Sequence, residues 1–476
     1  MFFPFYARRL PDSHFLAVSR SGDYVFLGEE DLHKLTTAPQ ELELDRLAEL
    51  QSKFFLGSPT RQGSLRLLAS KLLAKRETIL NGPSLHLIVL TLQCAHTCRY
   101  CQVSRSLGSL GHSMEPATLA AACEMIFESP SKSITVEFQG GDTLLRFDLI
   151  KFAIEKITER NLQEKRHLRF VVSSTLHQLD ERMCDFFKQH NVYLSTSIDG
   201  PARLHNKNRP TPTRDSYERT INGINMARDL ISPDVVSALM TTTRDSLLIP
   251  EEIVDEYVHL GFREIFLRPL SVYGFARRNF EHLGYSLSEF SLFYERAFEH
   301  ILQINREGGD FREVMASVFL NKILSPFDGG FVDLQSPTGA GLAALAYNYD
   351  GFVYPSDEAR MLAEMGDTSF RLGAIGETLD ALLNSEVQQN LIRASTSPRI
   401  PGCDQCAYNS YCGPDPISAK NQAGDIFAAV HLTDHCRRNM WLFDFLFMKL
   451  HQQEKWFLDL AFQWANPTPE REFCCA

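Results

Sequence analysis

The chain lacks any apolar run near the roughly 20 residues needed to cross a bilayer, so no membrane partner is expected. Its start, Met1-Phe2-Phe3-Pro4-Phe5-Tyr6-Ala7-Arg8-Arg9, lacks the basic n-region and small-residue cleavage site of a secretory signal. It also lacks an excess of positive charge: 48 Lys and Arg stand against 59 Asp and Glu, for a net charge of -11. That balance argues against a general nucleic-acid binder. A disulfide framework is equally out of place, because such frameworks belong to small secreted domains and this chain has 476 residues. A cytoplasmic location is expected. What is present, 44% hydrophobic and 22% charged residues, is ordinary for a globular protein of two or three domains.

Eleven cysteines remain to be explained, and seven fall in two tight groups, which read as metal or cluster ligands. Cys123 and Cys184 lie alone in helix-like stretches and read as buried inert thiols. Cys474 and Cys475 read as a frayed end without a role.

Residues 1–80 read as a small α+β unit. Apolar, β-prone runs at 14–18 and 24–27 flank Ser21-Gly22-Asp23, a hairpin signal. Helical patterns follow at 29–35 and 44–55. From 84 to 305, strand-like runs at 86–92, 134–139, 167–173, 192–198, 235–241 and 264–270 alternate with helical stretches. Six β-α units predict a parallel, barrel-like α/β domain with its chemistry at the carboxyl ends of the strands. The alternation stops near 330. Asn348-Tyr349-Asp350-Gly351 then turns into a short strand, a cysteine-rich loop runs from Cys403 to Cys436, and an apolar helical segment, 441–464, follows.

Cys94, Cys98 and Cys101 follow the first barrel strand in a CxxxCxxC spacing. Three thiolates are one short of filling a four-iron cluster, so one iron keeps an open position. Zinc is the alternative, but it wants a fourth protein ligand, for which neighbouring His96 is badly placed. With Tyr100 before the last cysteine, the motif resembles that of the radical S-adenosylmethionine (radical SAM) superfamily. The resemblance implies a partial (β/α)6 TIM-like barrel and a [4Fe-4S] cluster that binds S-adenosylmethionine. Gln139-Gly140-Gly141-Asp142 ends the second strand where that family carries Gly-Gly-Glu. The glycines would let backbone approach the cofactor and Asp142 would accept from its amino group, with one methylene less reach. Ser195-Thr196-Ser197-Ile198-Asp199-Gly200-Pro201, with Arg209 beyond, resembles the stretch of peptide-modifying members whose serine and arginine contact the cofactor. Those roles carry to Ser197 and Arg209. Arg268 and its neighbours would line the adenine or simply pack the barrel.

Cys403-x-x-Cys406, then Cys412 and Cys436, is similar to the C-terminal SPASM extension that houses auxiliary four-iron clusters. Ser356 and Pro416 stand where that pattern has cysteines, and none lies between Cys184 and Cys403. The resemblance therefore implies one auxiliary [4Fe-4S] cluster; a zinc knot on the same four thiolates is the alternative. In the sulfatase-maturing branch the residue after the replaced cysteine is the proposed base, which would be Asp357; a surface or capping acid is the other reading.

The expected activity is post-translational modification of a ribosomally made peptide or protein through a 5′-deoxyadenosyl radical. Residues 1–80 resemble a leader-peptide-binding module, with a plain N-terminal cap on the main domain as the alternative, and 330–476 resemble the SPASM-like part. Running text at the start and at 347–361 is most like the His-Xaa-Ser system maturases. That implies a His-Xaa-Ser repeat precursor, a partner radical SAM protein and an external electron donor. Sulfatase activation, thioether formation and a non-catalytic scaffold that delivers peptide are the competing expectations.

Overall fold

The computed structural model describes residues 2–57, 61–108, 110–452 and 454–466; Cys474 and Cys475 lie outside them. Two compact units share these residues.

One unit comprises Met1–Leu80, Ala316–Gly339 and Leu391–Glu472. It opens with β1 (Phe5–Arg9), β2 (Phe15–Ser19) and β3 (Tyr24–Leu27), an antiparallel sheet in that order. The expected hairpin closes where Gly22, at φ +79, supplies the left-handed residue its turn needs. β1 was not anticipated, because Arg8 and Arg9 break its apolar pattern; Arg8 instead reaches Asp444 with Nε at 2.7 Å and Nη2 at 2.6 Å. Helices Glu29–Thr37 and Leu44–Ser52 close over the sheet, burying Val25, Leu27, Leu35, Leu50 and Phe55 in one cluster. Each such side chain gains about 1.5–3 kcal/mol from leaving water. The expected continuous helix at 441–464 is two helices, Asp434–His451 and Lys455–Ala465. The polar run His451-Gln452-Gln453-Glu454 separates their apolar faces.

The other unit comprises Asn81–Met315 and Ala340–Asn390. Its strands are β4 (Leu85–Thr91), β5 (Ser133–Gly140), β6 (His167–Ser173), β7 (Val192–Ser197), β8 (Val236–Leu239), β9 (Glu264–Ile265), β10 (Arg312–Glu313), β11 (Ala344–Tyr347), β12 (Phe352–Tyr354) and β13 (Gly373–Ala374). Eight of them form one sheet in the order β13-β12-β11-β4-β5-β6-β7-β8, parallel from β11 to β8. Leu87, Ile88, Val89 and Leu90 of β4 are all at most 5% exposed, as a central parallel strand covered on both faces requires. The parallel α/β architecture expected of the sequence is therefore present, as an open, barrel-like sheet.

The sixth strand departs from expectation. Of 264–270 only two residues are strand, and they pair with β10, not with the main sheet. The amide of Leu267 donates to Glu313 Oε1 at 3.1 Å, and Pro269 has no amide to give. The sixth parallel strand of the main sheet is β11, which flanks β4 on its other side.

Replacing Leu50, fully buried in the small unit, by alanine is expected to cost about 2–5 kcal/mol. Thermal unfolding followed by circular dichroism would show the lowered midpoint.

Candidate functional site

The cysteine loop leaves β4 at Thr91 and folds back on itself: Cys94 N–H donates to Ser106 O at 3.1 Å and Ser106 N–H to Leu92 O at 2.7 Å. The segment after β7 pins it from one side, through Thr97 N–H to Pro210 O and Arg99 N–H to Asn208 O, both 3.0 Å. From another side Phe275 N–H donates to Cys101 O at 2.8 Å and Asn279 Nδ2 to Arg99 O at 2.7 Å. The three thiols are free. Burial pushes all three upward in pKa, Cys98 to about 12 against the pull of Arg209. A bound metal would hold these groups as thiolates.

Gly140 and Gly141 pass so close to this loop that no side chain fits. A Cβ on Gly140, at φ +139, would lie 2.0 Å from Thr91 O; one on Gly141 would lie 2.2 Å from Gln93 O. The amides make use of the approach: Gly141 N–H donates to Thr91 O and Asp142 N–H to Gln93 O, both at 2.7 Å. Asp142 is fully buried, and its two oxygens accept from Ser174 Oγ at 2.6 Å and Thr175 Oγ1 at 2.5 Å. Each oxygen is thereby anchored to the loop after β6 and keeps acceptor capacity. Gln139 is similarly engaged, donating to Glu137 Oε1 at 2.9 Å, where Ser173 Oγ also donates at 2.8 Å. Burial raises the Glu137 pKa against these two bonds. Ser197 ends β7 half-buried.

Asp199, fully buried, joins the cysteine loop to the residues beyond β7. Its Oδ2 accepts from Tyr100 at 2.5 Å, and its Oδ1 from Arg209 Nη2 at 3.2 Å and from Thr241 N–H at 3.3 Å. The Arg209 guanidinium also sits 5.2 Å over the Tyr100 ring, and its Nε is buried without a partner. His96 lies in the same loop but turns its Nε2 to His177 at 3.0 Å. Burial, then His177, push its pKa down to about 2, so it is a neutral imidazole.

Asp357 begins the helix Asp357–Glu364. Ser356, at the position where SPASM sequences have a cysteine, caps that helix by accepting Ala359 N–H at 3.3 Å. Asp357 Oδ1 takes both Nε (2.8 Å) and Nη2 (2.5 Å) of the fully buried Arg360. Both the base and the capping readings of this acid thus meet an ion pair first.

In the other unit the second cysteine group is built on turns and a helix start. Cys406 N–H donates to Cys403 O at 3.2 Å and Cys412 N–H to Tyr408 O at 3.0 Å, while Cys436 N–H is held by the cap Thr433 at 3.2 Å. Asn439 Nδ2 approaches Cys412 Sγ at 3.7 Å. Gly413 lies where a Cβ would meet Gln335 O at 1.8 Å. Burial raises all four thiols, with Cys403 and Cys412 pushed up to about 12, and Cys403, Cys412 and Cys436 each raised further by neighbouring cysteines. Pro416 opens the helix Pro416–Ala423 behind the cap Asp415.

The cysteine loop fits an iron–sulfur cluster with a bound cofactor on three counts. Its three free thiols share one short loop, the glycine turn brings backbone to it where a side chain would block approach, and Arg209 keeps one buried donor unused. Sequence reading missed the Tyr100–Asp199–Arg209 network and Glu137. The first was signalled only by Asp199-Gly200-Pro201, which reads as a turn; the second hides in an apolar strand.

Residues 88–265 match the family model of the Radical SAM superfamily, and this part of the chain is a radical SAM domain. An uncharacterized protein of Synechocystis sp. is 31% identical over 182 residues, 36% of this chain and 44% of its own length. A cysteine-type anaerobic sulfatase-maturating enzyme of Clostridium novyi is 22% identical over 330 residues, 67% of this chain and 83% of that enzyme. The matched region spans 44% and 63% of the length of the first two curated relatives. Among solved structures, native anSMEcpe with bound AdoMet superposes with a TM-score of 0.64 at 16% identity, covering 80% of this chain and 99% of that one. Streptococcus suis SuiB bound to precursor peptide SuiA gives 0.56 at 12%, covering 92% and 100%. At these identities the likeness establishes the fold. No helix among the described residues is long and apolar enough to cross a membrane.

Asp199→Ala would leave the Arg209 charge, 12% exposed, without its partner. A loss of about 3–5 kcal/mol is expected, and the Asp199→Ala, Arg209→Met double variant should recover part of it in thermal unfolding.

Proposed function

We propose that the protein is a radical SAM enzyme that modifies a ribosomally made peptide or protein, most like the His-Xaa-Ser system maturases. The observation that carries the reading is the cysteine loop itself: three free thiols, Cys94 buried and Cys98 and Cys101 half-buried, on a loop pinned against the Gly140–Gly141 turn at the carboxyl end of β4. Cys94, Cys98 and Cys101 would hold the [4Fe-4S] cluster. Backbone at Gly140 and Gly141, the Ser197 hydroxyl and the free Nε of Arg209 would hold S-adenosylmethionine. The bound pair supplies one electron and a 5′-deoxyadenosyl radical able to take hydrogen from carbon. Asp142, braced through Ser174 and Thr175, has one bond on each oxygen and would accept from the cofactor's amino group with its remaining lone pairs. Asp357 keeps Oδ2 as the atom that could accept a proton, while Arg360 fixes Oδ1.

Cys403, Cys406, Cys412 and Cys436 would hold one auxiliary [4Fe-4S] cluster. Tetrahedral zinc on the same four thiolates is the competing occupant, and iron content separates the two. The substrate class rests on neighbours whose names carry it: a sulfatase-maturating enzyme and SuiB with its precursor peptide. The β1–β3 sheet offers edges on which a leader peptide could add as a strand. A His-Xaa-Ser repeat precursor, a partner radical SAM protein, an external electron donor and a cytoplasmic setting complete the proposal.

Anaerobic reconstitution with iron and sulfide should give about eight irons per chain for two four-iron clusters. With reductant and S-adenosylmethionine it should then release 5′-deoxyadenosine. Fully loaded protein that releases none would refute the enzyme. In Cys403→Ala, Cys406→Ala protein the iron should fall to about four; an unchanged count would refute the auxiliary assignment.

A further inference from the structure

A third group of metal-ligating side chains lies away from both cysteine sites, within the small unit. Asp12 and His14 sit in the turn between β1 and β2, and His451 ends the helix Asp434–His451. Their ligand atoms lie within 4.8 Å of one another. His14 Nδ1 and His451 Nε2 each stand 3.3 Å from the same oxygen, Asp12 Oδ2. That is longer than the 2.7–3.2 Å of ordinary N–H···O bonds. It does match the edge of a tetrahedral metal site: bonds of about 2.0–2.2 Å to nitrogen and oxygen place neighbouring ligand atoms about 3.3–3.6 Å apart.

We propose that Asp12, His14 and His451 form a divalent-metal site for a borderline cation, with zinc the best match to a two-imidazole, one-carboxylate set. The site is built before metal arrives. Asp12 Oδ1 accepts His14 N–H at 3.2 Å, which orients Oδ2 as the ligand atom, the outer bond that ligating carboxylates characteristically make. The turn is closed by Leu10 N–H to His14 O at 2.8 Å and by Ser13 at φ +74. The Arg8–Asp444 pair fixes β1 against the same helix two turns before His451. The His451 ring rests on Phe26 at 4.4 Å and meets the His14 ring at 4.6 Å. Side-chain exposures of 29%, 49% and 19% leave the three groups open to solvent, so a fourth position is free for water or another ligand. A metal there clasps the β1–β2 turn to the last turn of the helix that carries Cys436 on its first.

The test uses full-length protein with its iron–sulfur sites loaded, titrated anaerobically with cobalt(II) and then zinc(II). One cobalt per chain is expected, with weak visible bands, no thiolate charge-transfer band, and displacement by zinc. His14→Ala and the milder Asp12→Asn should each weaken zinc binding at least about 100-fold, the upper end of what outer-shell losses cost, with iron content and circular dichroism unchanged. Zinc affinity equal in wild type and both variants, or a cobalt spectrum dominated by thiolate charge transfer, would overturn the assignment. So would the absence of any cobalt bound beyond the iron sites.

Discussion

The mouth of the barrel depends on two backbones running at the closest separation that hydrogen bonds allow. The Gly140–Gly141 turn and the start of the cysteine loop share amide-to-carbonyl bonds of 2.7 Å, and a methyl group on either glycine would overlap a carbonyl oxygen. Glycine is needed here for room as much as for its φ. Once that contact forms, the loop's position follows from strand geometry, and the thiols are presented where a parallel sheet ends. The surrounding bonds, from Pro210, Asn208 and Asn279, hold the loop's far end.

Charge is handled in the same economical way. Asp199 is deeply buried with an arginine, a tyrosine and a backbone amide on its two oxygens. A carboxylate so satisfied orients its neighbours without being available for chemistry itself. Arg209 is thereby held rigid with one donor to spare, the arrangement expected of a group that recognises an anionic or polar ligand. Asp142 follows the same pattern through two hydroxyls. In both places a buried carboxylate acts as a support for its neighbours.

Local signals made the cysteine loop, the glycine turn and β4 to β8 legible, because spacing and periodicity within a few residues determine them. What escaped depends on distant partners. β1 carries two arginines, and only Asp444, far along the chain, gives Arg8 its counter-charge. The run 264–270 is apolar enough for a strand, yet Glu313 takes the Leu267 amide and Pro269 has none. β11 is four residues long and becomes a barrel strand only through pairing with β4 across more than 250 residues of chain. Glu137 carries no local signal in its apolar strand; Gln139 and Ser173 make it a satisfied wall residue.

The placement of β11 has a bearing on how the protein is made. Until residue 347 has left the ribosome, β4 keeps one edge of its hydrogen-bonding groups unpaired, although β5 to β8 are already available on its other side. An unpaired edge on a nearly continuous apolar strand is a template for intermolecular pairing. The nascent barrel is thus sticky during the interval between its fifth and sixth strands. Chains ended after residue 305, at the limit the β-α alternation suggests, would keep that adhesive edge permanently.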